Sequence, residues 1–338
     1  MRGVGKTVLL RAIEDRVREY GWHTPGIQEA RPDRDPRHML VTMTQKLLLE
    51  FSTMRRLRDR VRKAQAVLAG FALAASERGV ELRLEVDPHA TLARSGDIEQ
   101  DLTDLFIEIG QVAEAAGTGA IFLLDEVHTF PRKGLEALAA ALHQVSQQSL
   151  PLSVIAAGLP HMAGLMTEAK SYSERLFSFA HIGALSAEAA RDALAIPAEQ
   201  LGVTFDGTAL DVLIEGSERY PYFLQEYGNE AWNVAEQNCI TLDDARDAII
   251  LAHETLDSGF FRARYEKGSP AGRRYMQAMA SLGKGPFPSR DVSRQLGSKR
   301  QPSPTDLLTG GLVYEPQLGF LEFTVPLFAD YVRRHHPL

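Results

Sequence analysis

The chain has 338 residues, 44% hydrophobic and 24% charged, which suits two or three globular domains, each with its own core. A single cysteine, Cys239, excludes an internal disulfide framework, and no run of about 18 apolar residues or apolar leader occurs, so a cytoplasmic protein with no membrane partner is expected. The net charge of −7 is uneven: residues 256–338 carry 12 Lys+Arg against 7 Asp+Glu, which assigns any nucleic-acid contact to the last quarter of an otherwise acidic chain.

The chain opens on MRGVGKT, in which Gly5, Lys6 and Thr7 supply the end of the phosphate-binding pattern G-x-x-x-x-G-K-[ST], and VLLRAI reads as the start of a helix. Turns at Gly3 and Gly5 let backbone N–H groups converge on phosphate oxygens, and a helix N-terminus favours anions. Lys6 is then the ligand of the β- and γ-phosphates and Thr7 a ligand of Mg2+. The first glycine of the pattern falls one residue before Met1, and the strand that leads into such a loop is missing. The expectation is a loop cut short, either because the chain as given starts late or because the site has lost a part. Taken alone, the stretch also reads as a glycine-rich start to an ordinary helix.

Apolar residues at helical spacing run on to Gly21, a C-cap candidate. WHTPGIQEA reads as a short edge strand, since Pro25 cannot donate to a ladder. Residues 36–52 and 53–75 read as helices, the second carrying Arg55, Arg56, Arg58, Arg60, Arg62 and Lys63, a pattern better suited to a solvated face than to a binding site. VELRLEV alternates as a strand does, and the amphipathic helix that follows has Asp97 as its cap.

GAIFLLDEVHTF carries the second signal. Its apolar run from Ala120 to Leu124 suits a buried parallel strand, and it ends in Asp125 and Glu126, where open α/β sheets bind ligands. Asp125 is assigned to Mg2+ and Glu126 to polarising the attacking water. A strand ending in two acids is common by itself; after G-K-T the pair points to a P-loop nucleotide hydrolase. A third strand, LPLSVIAAGLP, offers only Ser153 and the backbone near Gly158 where such enzymes place a polar phosphate sensor, which weakens the case for efficient hydrolysis.

The loop, the LLDE strand, the VIAAGLP strand and SYSERLFSF together resemble the AAA+ and STAND branch of P-loop ATPases, and within it the bacterial and archaeal group related to origin-recognition initiators. The resemblance implies an α/β fold with a parallel-sheet core over 1–185 (its first strand missing), a helical lid over 186–255 and a winged helix over 256–338. It also implies ATP with Mg2+ as ligands, and nucleotide held between core and lid. Arg175 matches the family's arginine finger; pairing with Glu174 or another surface acid is the alternative. RYPYFLQ resembles the element in which a proline packs on the nucleotide, which nominates Pro221 and Tyr222, although Arg219 and Tyr220 precede the proline and the motif's glycine is lacking. A proline in the first turn of a buried helix explains Pro221 equally. Ser186 and Thr241 read as N-caps, with no capping box at Ser186 because Ala189 stands third.

In the last quarter, helices at SPAGRRYMQAMASLG, PSRDVSRQLG (capped by Ser289) and SPTDLLTGG precede two strands around Gln317–Gly319, an order that reads as a winged helix. Arg290, Arg294, Lys299 and Arg300 could neutralise phosphates, whereas the third helix offers Asp306 and leucines. Sequence-specific DNA binding, nonspecific DNA binding, a protein-docking role (self-association included) and a purely structural wing stay open. His335 and His336 read as a loose tail rather than metal ligands, since no further ligand stands at a suitable spacing. Two functions follow: an ATP-binding, ATP-hydrolysing switch, or a non-catalytic interaction protein with a degenerate nucleotide site.

Overall fold

The computed structural model describes residues 3–76, 96–160, 162–170, 173–297 and 304–338; VELRLEV, Lys299 and Arg300 lie outside the described residues. Two compact units are formed, one from residues 6–180 and one from residues 181–338 with residues 3–5.

The first unit runs α1 (Lys6–Glu19), β1 (Ile27–Glu29), α2 (Pro36–Ser52), α3 (Arg58–Ser76), α4 (Ile98–Ala116), β2 (Ala120–Asp125), α5 (Arg132–Gln147), β3 (Leu152–Ala156), α6 (Met162–Ala169) and α7 (Ser173–Leu176). No strand precedes α1 among the described residues. The sheet is parallel in the order β1-β2-β3, with Ile27 opposite Leu123 and Ala120 opposite Leu152. Every residue of β2 is buried, and the strand's twofold alternation explains why the whole run is apolar. Phe122 and Leu124 enter the core built by Leu105, Phe106 and Ile109 of α4 and Leu138 of α5; Ile121 and Leu123 meet Leu10 and Val17 of α1. Phe106 and Phe122 stack with ring centroids 5.2 Å apart. Asp97 caps α4 by accepting the Glu99 N–H, and Gly117 ends it in the left-handed region. The basic residues expected on a solvated face are exposed; Arg56 donates to the Ala116 carbonyl and Lys63 pairs with Glu108 at 2.7 Å.

The second unit runs α8 (Ala187–Gln200), β4 (Thr204–Phe205), α9 (Gly207–Gly216), α10 (Pro221–Val234), β5 (Cys239–Ile240), α11 (Leu242–Thr255), a π-helical turn over Leu256–Phe261, α12 (Arg262–Lys267), α13 (Pro270–Ser281), β6 (Phe287–Pro288), α14 (Ser289–Leu296), α15 (Thr305–Thr309), β7 (Val313–Gln317), β8 (Phe320–Phe323) and α16 (Phe328–His335). One apolar core takes Leu213, Phe223 and Tyr227 together with Phe261, Met276, Phe323 and Phe328. Strands β6, β8 and β7 pair antiparallel in that order.

Ser186 and Thr241 cap their helices, and Thr241 closes a reciprocal box with Asp244. Ser289 is not a cap: it is the first residue of α14, Pro288 holds the cap position, and the Ser289 N–H donates to the Gly319 carbonyl at 2.9 Å. The terminal histidines are packed, not loose. Asp257, in the π-helical turn, accepts two 2.8 Å bonds from Arg334 and lies 2.8 Å from His335 Nε2; His336 stacks flat on Tyr265 at 3.8 Å.

Candidate functional site

The site in the first unit is built where α1 begins and β2 ends. Lys6 and Thr7 are the first two residues of α1, so their orientation follows from the helix start. Asp125 is the last residue of a strand fixed by burial on both faces, and its side chain belongs to a residue only 5% exposed. The Thr7 hydroxyl donates to Asp125 Oδ2 at 2.5 Å across 118 residues of sequence, while Asp125 Oδ1 accepts the Glu126 N–H at 2.8 Å. A buried carboxylate is costly without such donors, and here both oxygens have one.

Glu126 takes the left-handed conformation (φ 53°, ψ 31°), unusual for a residue with a β-carbon. A 3-10 turn over Val127–Thr129 follows, and the Val127 N–H donates to the Ala157 carbonyl beyond the end of β3. The turn folds His128 back on Glu126. Lys6 Nζ lies 3.9 Å from Glu126 Oε1, and His128 Nε2 lies 3.5 Å from Glu126 Oε2. The Lys6 and His128 side chains are 10% and 9% exposed, so the carboxylate stands between two largely buried basic groups.

The structure thus gathers Lys6, Thr7, Asp125 and Glu126. It does not bring Arg175 into that cluster: Arg175 is exposed on the one-turn helix α7 and makes no ion pair among the described residues, Glu174 included. Ser153 is exposed near the start of β3, remote along the strand from the end where Asp125 stands on β2. His128 was not singled out by the sequence; its signal is the turn that follows a non-glycine residue in the left-handed region.

Gly3, Gly5 and Pro221 belong to the second unit. Gly3 and Gly5 have φ of 82° and 84°, the conformation that favours glycine. The Tyr222 N–H donates to the Gly3 carbonyl at 3.2 Å, and Val4 is buried in the apolar core. Pro221 occupies the first turn of α10, where its missing N–H costs nothing. Glu218 and Arg219 precede Tyr220 in successive left-handed conformations. Burial raises the pKa of Tyr220, whose residue is 1% exposed, against the lowering effect of the Arg264 charge.

Residues 258–332 match a domain of unknown function, DUF8462. No curated protein matches the chain. Among solved structures, the chain is similar to the Thermotoga maritima RuvB Holliday junction branch migration motor, with 13% identity, a TM-score of 0.39, and coverage of 97% of this chain and 94% of that one. It is also similar to the Aeropyrum pernix Orc1 protein in complex with DNA, with 14% identity, a TM-score of 0.40, and coverage of 99% and 85%.

Proposed function

We propose that this chain is an ATP-binding, ATP-hydrolysing P-loop protein of the AAA+/STAND type that couples nucleotide state to binding of DNA or a protein partner through residues 256–338. The observation that carries it is the Thr7–Asp125 hydrogen bond, which joins the end of a G-K-T motif to the acid at the tip of a buried parallel strand. A hydroxyl and a carboxylate are hard oxygen donors suited to Mg2+, and the adjacent Lys6 supplies a point charge for phosphate. At Gly5 a β-carbon would meet nothing within 4 Å, so the loop is open on that side. These residues fit MgATP. When bound, Mg2+ neutralises charge on the phosphate oxygens.

The chain's own residues then divide the work. Lys6 binds the β- and γ-phosphates, Thr7 and Asp125 hold the metal, and Glu126 orients the attacking water and accepts its proton. Gly3 and Gly5 shape the loop, and Pro221 contributes to nucleotide binding. Arg175, exposed and without an ion pair among the described residues, is available as an arginine finger toward another subunit. Residues 1–185, 186–255 and 256–338 serve as ATPase core, helical lid and winged helix. The order of helices and strands over 270–323 supports the last assignment.

A second reading, a non-catalytic interaction protein, is favoured by one observation: the end of β3 offers Ala156, Ala157 and Gly158 where a polar phosphate sensor would stand. Calorimetry of MgATP against the chain and its Lys6→Ala variant separates the two. A micromolar Kd that weakens about tenfold or more in the variant is expected, the scale of one charge-assisted phosphate contact. Absence of binding by the chain, or equal binding by both, sinks the nucleotide reading.

A further inference from the structure

Resting on the ATPase reading, the surroundings of Glu126 assign a task to a residue that reading leaves unused. Glu126 is held in a sparsely populated backbone state, and such states persist only where neighbours over-determine them. Three supports are visible. The Glu126 N–H donates to Asp125 Oδ1 at 2.8 Å, its carbonyl accepts the Thr129 N–H at 3.0 Å, and the turn between them sets His128 beside the carboxylate. Oε1 faces Lys6 at 3.9 Å and Oε2 faces His128 at 3.5 Å. Phosphates would draw the Lys6 ammonium toward themselves, whereas His128 stays beside Glu126, with a side chain 9% exposed and little freedom to leave. Separations of this length commonly tighten when substrate binds.

We propose that His128 is a positioning residue for ATP hydrolysis: it holds Oε2 of Glu126 so that Oε1, released by Lys6, points at the attacking water. In the step this serves, the water oxygen bonds to the γ-phosphorus. The bond from that phosphorus to the β–γ bridging oxygen breaks, and its electron pair leaves with ADP. One water proton passes to Glu126 Oε1, and inorganic phosphate is the other product. Acting through Glu126 and not on the nucleotide itself, His128 should on removal leave binding alone and slow the chemistry.

The experiment compares the full chain with its His128→Ala and His128→Gln variants by steady-state MgATP hydrolysis and by calorimetry. For His128→Ala, kcat is expected to fall about tenfold or more, the scale of a misaligned base, while KM and the MgATP Kd stay within about twofold. His128→Gln keeps a side-chain N–H donor at similar reach and is expected to recover most of kcat. An unchanged Kd in both variants shows that the site is folded. If the unmodified chain hydrolyses ATP and His128→Ala does so at the same rate, the inference fails and the ATPase reading stands. A shared loss of kcat and binding in both variants, with no recovery in Gln, also overturns it, because that marks a merely structural histidine. If the unmodified chain binds but never hydrolyses MgATP, the hydrolytic reading falls and the inference with it.

Discussion

At Gly3 the backbone has φ of 82°, and a β-carbon there would lie 3.1 Å from Tyr222 Cβ and 3.2 Å from Tyr220 Cε1. Tyr222 stands in the first turn of α10 and Tyr220, its N-cap, is buried, so neither yields cheaply. Gly5 has nearly the same φ of 84° with no atom within 4 Å of the added carbon. The pair separates two costs that usually come together. Gly5→Ala is expected to lose about 1 kcal/mol for backbone strain alone, and Gly3→Ala about 2–3 kcal/mol because crowding adds to it. Urea denaturation monitored through the second unit reads the difference. Equal losses would mean that the tyrosines do not confine Gly3.

Among the elements, α11 shows how a helix start is specified. The Thr241 hydroxyl accepts the Asp244 N–H at 3.3 Å, and Asp244 Oδ2 accepts the Thr241 N–H at 2.8 Å. Losing this cap in Thr241→Ala should cost about 1 kcal/mol and lower Tm by about 2–4 °C. The bond from the Thr241 backbone, then that from its hydroxyl, lowers the Asp244 pKa. The carboxylate's contribution is therefore complete above the ordinary carboxylate range and fades as pH falls through the lowered value. Because Thr241→Ala keeps the backbone N–H and removes only the hydroxyl's bond to the carboxylate, the gap in Tm between the chain and the variant should narrow in acid without closing; a gap that is constant with pH argues against the hydroxyl's share of the box.

Elements of this kind were legible because their signals are local. Asp97, Ser186 and Thr241 announce helix starts by residue type, and the run ending in Asp125 announces a buried strand. The site was legible in part for the same reason: G-K-T and D-E are short patterns with fixed chemistry. His128 was not, because its place depends on Glu126 adopting a conformation that sequence gives no reason to expect. The terminal histidines were misread because their anchor, Asp257, lies 78 residues from His335. Ser289 was misread because Pro288 takes the cap position and the hairpin carbonyl of Gly319 satisfies the freed N–H.

At the scale of the whole molecule, the excess positive charge of residues 256–338 is weaker as a DNA-binding surface than its total implies. The β7–β8 hairpin carries Glu315 and Glu322 and no cation, and Leu318 at its tip is 95% exposed. In α15, Leu307 is fully buried and the exposed residues are Thr305, Asp306 and Thr309. Of the described cations on α14, α15 and the hairpin, that leaves Arg290 and Arg294 on α14, with side chains 84% and 80% exposed, each within 3.7 Å of Asp291. Lys299 and Arg300 lie outside the described residues and add at most two further phosphate contacts. Duplex binding through this face should therefore be nonspecific, with a slope of log affinity against log salt between about −1.8 for two contacts and about −3.6 for four. For two contacts, affinity falls only about twelvefold from 50 to 200 mM salt. The double variant Arg290→Ala/Arg294→Ala should flatten the slope by about 1.8, and Asp291→Asn should strengthen binding, because neither arginine then has to leave a carboxylate to reach a phosphate. Fluorescence anisotropy with a labelled duplex of arbitrary sequence measures all three chains. A slope that the double variant leaves unchanged would move the DNA contact off α14 and leave the exposed apolar tip of the hairpin as the surface to test for a protein partner.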